Sequence, residues 1–211
     1  MAVVSSKLVG LLACQQTPFL RELDTHVLSC SEKPDSEGLF CVELADTVIF
    51  PEGGGQPSDT GRIDGVPVKY ARRDGLRAIH YASAPIPTGA LVRVEVDFKR
   101  RLDHMQQHTG QHLLSAVLEK DWGLVTVSWS LGATASHVEL RASKDLVLSP
   151  SALAAIESKC NDLIFEALPI ATHVVEQEPA TCPSSVPGDY VGGVIRYVEI
   201  GVAGAAIDRN A

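Results

Sequence analysis

Five cysteines are scattered through the 211 residues, at Cys14, Cys30, Cys41, Cys160 and Cys182, and no two of them have C-x-x-C spacing. An odd count without that spacing suggests neither a zinc ribbon nor a disulfide framework, and a reducing, cytoplasmic setting fits it best. Long hydrophobic runs are also missing, since no stretch approaches the ~20 apolar residues of a membrane span. The opening "LVGLLAC" has the outline of a lipoprotein cleavage box, but its apolar run from Leu8 to Ala13 falls short of the roughly 7–15 residues of a signal core. It reads instead as a first strand. Positive charge is scarce: 18 Lys and Arg stand against 26 Asp and Glu, for a net charge of −8 and a pI near 5.3. Such a chain does not coat nucleic acid through its overall field. Two local basic clusters remain, Lys69, Arg72, Arg73 and Arg77, then Lys99, Arg100 and Arg101. Each reads equally as an RNA contact or as a solvated turn. With 45% hydrophobic and 21% charged residues, the composition is that of an ordinary globular chain.

The periodicity changes once along the chain. From Lys7 to about Val96, short segments alternate in polarity and are cut by Gly, Pro and Asp every ~8–12 residues, the pattern of a small all-β barrel or sandwich. Val92, Val94 and Val96, set against Arg93, Glu95 and Asp97, show the two-residue repeat of a half-buried strand. From Leu102 or Asp103 to about Lys120 there is no proline and the apolar spacing becomes helical. "VTVSWSLGATASHVELR" returns to strands around a glycine turn. "SPSALAAIESKCNDLIFEALP" then predicts an amphipathic helix capped by Ser149, opened by Pro150 and ended by Pro169, burying Leu153, Ile156, Cys160, Leu163, Ile164 and Ala167. "IATHVVEQE" and "GGVIRYVEIG" predict two more strands, with an exposed loop at "ATCPSSVPGDYVGG" between them. The expected class is α+β: an N-terminal β-barrel domain over 1–97 and an α+β domain over 98–211, an antiparallel sheet packed with helices.

Two stretches carry chemistry. In "HMQQHTGQHLL", His104, His108 and His112 recur every fourth residue, which stacks them along one side of a helix. A column of imidazoles suits a metal, and it equally suits a half-buried set bonded to backbone or water. "TVIFPEGGGQPSDTG" places three glycines after a strand, where bare amides can approach a ligand or simply form a hairpin. Neither G-x-G-x-x-G nor G-K-[ST] is present, so it is not a dinucleotide or Walker loop. A zincin protease is excluded as well, because Thr109 stands where H-E-x-x-H needs its glutamate.

Taken together, "FPEGGGQPSDTG" followed by "RRLDHMQQHTGQHLLSA" resembles the AlaX alanyl-tRNA editing proteins, trans-acting relatives of the alanyl-tRNA synthetase editing domain, in their longer form with an N-terminal glycine-rich domain. The likeness covers most of the chain and includes "TVSWSLG". It implies an aminoacyl-tRNA ester hydrolase acting on alanine tRNA mischarged with serine or glycine, with neither DNA nor membrane among its partners. By the family's H-x-x-x-H motif, His108 and His112 become the implied Zn²⁺ ligands and catalytic residues. Thr47 becomes the residue that recognises the serine hydroxyl, and Gly53, Gly54, Gly55 and Gln56 become the run beside the editing pocket. One element of the family pattern is missing: its second ligand pair, C-x-x-x-H after a strand like "VIRYVEIG", does not occur before Ala211. The expectation is a truncated chain with an incomplete zinc domain, or completion of the sphere by Cys182, His137 or His173. The resemblance leaves the oligomeric state open.

Overall fold

In-and-out alternation of side chains, broken at two register shifts, accompanies closure of the first part of the chain on itself. The computed structural model describes residues 5–141, 147–176, 190, 193–202 and 205–210. Strands β1 (Glu22–Cys30), β2 (Phe40–Leu44), β3 (Gly61–Ile63), β4 (Val66–Asp74), β5 (Arg77–Ala82) and β6 (Leu91–Val96) form a closed barrel in the order β1-β2-β5-β4-β3-β6, antiparallel at every pairing. Val92 and Val94 of β6 point inward while Leu91, Arg93 and Glu95 face out. Their inward partners are Val27, Val42, Leu44, Ile63, Val68 and Ala82, with Val48 and Ile49 plugging the interior. The architecture is therefore α+β with an N-terminal barrel, as the periodicity predicts. The segment expected as a first strand is not one: Ala13–Gln16 form a helical turn, α1, after the bend at Gly10. Gln15 Oε1 accepts the Gly10 and Leu12 amides at 2.6 and 3.3 Å, so a local side chain satisfies the groups that a strand partner would have taken.

The chain divides into two compact units, Met1–Asp103 with Val174–Arg196, and His104–His173 with Tyr197–Ala211. Helix α2 (Phe98–Trp122) begins earlier than the apolar spacing predicts. Asp97 caps it, its Oδ1 accepting the Arg100 amide at 3.2 Å, and this cap admits a polar first turn. Arg101, read from sequence as a possible RNA contact, is buried. Its guanidinium binds Asp59 Oδ2, the Val48 carbonyl at 2.5 Å and the Pro18 carbonyl at 3.1 Å. Asp59 Oδ2 also accepts the Phe50 amide at 2.7 Å, so the pair holds both sides of the glycine-rich loop.

The second unit contains the rest of α2, the hairpin β7 (Val125–Ser130) and β8 (His137–Arg141), and helix α3 (Pro150–Phe165); a three-stranded sheet, ordered β11-β10-β9, is formed by β9 (Ile170–Glu176), β10 (Val194–Val202) and β11 (Ala205–Asn210). Ser149 caps α3 as expected, accepting the Ala152 amide at 3.2 Å. The predicted apolar face is only partly covered. Ile156 is buried against Leu118 and Leu124, with Cys160 half-covered, whereas Leu153, Ile164 and Phe165 lie exposed. The predicted loop at 180–193 falls, apart from Tyr190 and Gly193, outside the described residues, as does Cys182. No helix among the described residues is long and apolar enough to cross a membrane.

Candidate functional site

Helix α2 turns its polar side chains toward the β7–β8 hairpin. His108 and His112, one turn apart, place their rings 5.0 Å centre to centre, and the Trp129 indole of β7 lies 4.8 Å from the first and 6.0 Å from the second. The four-residue spacing on α2 and the irregularity between Thr126 and Ser128 in β7, which turns both Thr126 and Trp129 toward the helix, bring three aromatic rings to one place. His112 Nδ1 is 3.2 Å from Asp208 Oδ2 on β11. One turn beyond His108 along the same helix, Gln111 donates to Ser115 Oγ at 2.8 Å, and Thr126 of β7 donates to the same oxygen at 2.7 Å. His104, the third imidazole of the sequence column, is buried in the helix face that also carries Gln111 and Leu118. The hairpin carries an open depression of about 350 Å³ lined by Ser128, Trp129, Ser130, His137, Val138 and Glu139. Within it Ser128 donates to Glu139 at 2.6 Å.

Neutral imidazole nitrogens suit Zn²⁺, and a carboxylate behind a ring nitrogen is the usual support of a ligating histidine. The adjacent imidazoles of His108 and His112 have the donor chemistry for part of such a site. Among the described residues no group of three His, Cys, Asp or Glu gathers into a ligand shell. Two of the side chains considered for completing it have other surroundings: His137 lines the hairpin depression, and His173 Nε2 stands 4.0 Å from Glu199 Oε2.

The other sequence-predicted residues lie in the barrel unit. Thr47 is 1% exposed. Its Oγ1 is 2.8 Å from His80 Nε2 and accepts the Ile49 amide at 3.0 Å. His80 Nδ1 faces the Val42 carbonyl at 3.2 Å, and a carbonyl only accepts, so Nδ1 carries the ring proton and Nε2 accepts from the threonine hydroxyl. Burial pushes the His80 pKa down to about 4 and keeps the ring neutral. The glycine run forms a tight hairpin: Gly53 and Gln56 exchange backbone bonds at 3.2 and 3.1 Å, and Gly54 and Gly55 take φ of 57° and 75°, as a two-residue turn of the primed type requires. Gln56 is buried while Gly54 and Gly55 face solvent.

Several of these partners escape sequence reading. Trp129 sits in "TVSWS", three residues after Thr126, and the register shift between Thr126 and Ser128 that turns both toward α2 leaves no mark in the sequence. Asp208 is 96 residues from His112 (208 − 112) and lies on a strand that the periodicity does not mark. His80 occupies an inward position of β5, and the pattern "RAIHYA" does place it on the face of Ala78 and Ala82, which is the one signal that could find it.

No family model matches the chain. It is 41% identical, over 93% of its length, to the alanyl-tRNA editing protein Aarsd1 of Bos taurus. With the putative alanyl-tRNA editing protein alaX of Saccharomyces cerevisiae it shares 37% identity over 92% of its length. The alanyl-tRNA editing protein AlaX-L of Pyrococcus horikoshii is 30% identical over 77% of the chain. The matched regions make up 46%, 49% and 40% of those three proteins, so the chain spans about half the length of the curated relatives it matches. Over its shared sequence, which is about half the length of those proteins, the chain is similar to the AlaX-type alanyl-tRNA editing proteins.

Proposed function

We propose that the chain is an aminoacyl-tRNA ester hydrolase that removes serine, and glycine, from mischarged alanine tRNA in trans, with Zn²⁺ held at His108 and His112. The observation that carries this reading is the imidazole pair on one turn of α2, braced by Trp129 and Asp208, in a chain similar to proteins named for alanyl-tRNA editing. A bound zinc would polarise the ester carbonyl or lower the pKa of a bound water. The protein's own part is to hold the imidazoles neutral and oriented. Thr47 is assigned the serine hydroxyl. Its proton is committed to His80 and one lone pair to the Ile49 amide, so the remaining lone pair would accept from the serine O–H, a group alanine lacks. A site built to bond a hydroxyl rejects the analogue without one far more strongly than an apolar pocket rejects an added hydroxyl. Gly53, Gly54, Gly55 and Gln56 would shape the wall beside it.

A second reading is favoured by the partial ligand shell of the described residues: a chain that binds alanine tRNA and hydrolyses the ester weakly or not at all. One experiment separates the two. Serine-charged and alanine-charged alanine tRNA are incubated with the chain, with and without added zinc, and with His108→Ala. Zinc-dependent release of serine, spared alanine and loss of activity in the variant support the hydrolase. tRNA binding with ester lifetimes unaffected by zinc or by the substitution supports the binder.

A further inference from the structure

Arg196 is a covered cation without a counter-charge. It stands half-buried near the start of β10, and its Nε donates to the Gln15 carbonyl of α1 at 3.0 Å. A guanidinium carries five N–H groups, and among the described residues no acceptor takes the rest. No Asp or Glu among the described residues comes within 4.0 Å of it. The carboxylates of this region are committed elsewhere: Asp59 is held by Arg101, and Asp46 binds Lys7 Nζ at 2.6 Å and accepts the Ala13 and Thr47 amides at 2.8 Å each. Cys14 supplies no negative charge either, because burial pushes its thiol pKa up to about 12. Burial, with the like charge of Arg101, pulls the Arg196 pKa below the ordinary arginine value, yet a guanidinium stays protonated. A cation taken out of water without a partner is costly, so the place favours an anion that reaches it from the open side.

We infer that Arg196 is a phosphate-binding residue whose ligand is the phosphodiester next to the esterified 3′ nucleotide of the tRNA. The inference rests on the aminoacyl-tRNA reading above and extends it from the amino acid to the nucleotide. The terminal ribose carries the aminoacyl ester and, on its 5′ side, the last phosphodiester, so the two groups are one ribose apart. Within the barrel unit the two assigned contacts are linked as closely. Arg196 binds the carbonyl of Gln15, and the amide of the preceding residue, Cys14, donates to the Thr47 carbonyl at 3.0 Å. The helical turn α1 thus joins the residue assigned to the serine hydroxyl to a guanidinium with open N–H groups. The planar fork of arginine matches two phosphate oxygens, and such charge-assisted pairs are the strong ones.

The test uses the 211-residue chain with Arg196→Met, which keeps much of the stem, and Arg196→Lys, which keeps the charge. Each protein is titrated with uncharged alanine tRNA, with the same tRNA lacking its terminal nucleotide, and with inorganic phosphate. Arg196→Met is expected to weaken intact tRNA by about 10–100-fold, the loss of a charge-assisted contact, with Arg196→Lys in between. Shortening the tRNA is expected to weaken the parent by a similar factor and Arg196→Met much less. Unchanged binding of intact tRNA by Arg196→Met, or equal losses on shortening in parent and variant, overturns the inference. Thermal midpoints of both variants are expected at or near the parent's, since the charge removed has no partner. A sharp fall in both assigns Arg196 to the fold and overturns it as well. Phosphate held as tightly as tRNA points to a free phosphate and overturns the RNA ligand. A parent that binds no alanine tRNA overturns the function proposed above and the RNA ligand together. Whether Arg196 is an anion site is then read from its Nε–H resonance, which shifts with phosphate if it is and stays in place if it is not.

Discussion

Thr47 donates its hydroxyl hydrogen bond to His80 Nε2, and the 2.8 Å contact between them ties β5 to the loop that leads into the glycine hairpin. The bond has a pH signature. Burial holds the folded-state pKa of His80 near 4, below the ordinary imidazole value of about 6.5, so the unfolded chain binds this proton more readily. Stability from this group is complete above pH 6.5 and is lost as pH falls from there toward 4. His80→Phe removes both the titration and the acceptor for Thr47. Urea midpoints measured between pH 4 and 7 are expected to fall less steeply in the variant, which at pH 7 is less stable by about 1–3 kcal/mol. Parallel pH dependences in the two proteins would show that His80 does not carry the slope.

The Arg101–Asp59 pair predicts a stability effect where the sequence suggests an RNA contact. Arg101 is fully buried, and its fork reaches one carboxylate and two carbonyls on separate segments. Removing one partner of such a pair leaves a buried charge uncompensated, at a cost of about 3–5 kcal/mol. Arg101→Ala is therefore expected to lower the denaturation midpoint sharply. Arg101→Lys, which cannot present the fork, recovers only part of the loss. The neighbouring Arg100→Ala, on an exposed side chain that reaches the Ser58 carbonyl, is expected to stay within about 1 kcal/mol of the parent. Equal midpoints for Arg100→Ala and Arg101→Ala would contradict the assignment.

How much of this is legible in the sequence depends on whether the determining contact is local. The barrel strands are legible where burial alternates, as in Val92 and Val94 of β6, and α3 is legible from Ser149 and Pro150 at its start. The start of α2 is not, because an Asp97 cap lets a helix open with "FKRR", which has no apolar stripe. Likewise "LVGLLACQ" has a strand's composition, and Gln15 bonding back to Gly10 makes it a turn. The His108–His112 pair is visible from spacing alone. Its surroundings, Trp129 and Asp208, come from other elements, and pairing between elements leaves no mark on either one.

Glycines of different kinds should respond to alanine in opposite directions. At Gly61 an added Cβ would meet the Glu95 carbonyl oxygen at 2.2 Å, where β3 and β6 close the barrel. Overpacking of this kind costs about 1–3 kcal/mol or more, so Gly61→Ala is expected to destabilise. At Gly110, inside α2, a Cβ meets nothing within 4 Å and the backbone is helical. Gly110→Ala is therefore expected to add about 0.5–1 kcal/mol. Gly54 lies between: space is open but φ is 57°, and alanine there costs about 1–2 kcal/mol while asparagine costs less. Thermal melts of the three alanine variants give the order Gly110→Ala above parent above Gly54→Ala, with Gly61→Ala lowest or next to it. A stabilised Gly61→Ala would refute the close β3–β6 approach.

Salt dependence tests where tRNA phosphates are met. Of the basic clusters, Arg101 is inside, Arg77 is paired with Asp74 and Glu43, and Arg72 stacks over Tyr70 at 4.7 Å. Lys69 on β4 is exposed, and Lys99 and Arg100 lie together at the surface at the start of α2. If they neutralise phosphates, each contributes about 0.7–0.9 to the slope of log affinity against log salt, because each contact releases condensed counterions. Lys99→Ala with Arg100→Ala is then expected to weaken binding of alanine tRNA at low salt and to flatten that slope by about 1.4–1.8. Arg77→Ala should leave it unchanged, since its charge is already matched by two carboxylates. A slope that moves with Arg77 and not with Lys99 and Arg100 would relocate the RNA track to the barrel's β4–β5 side.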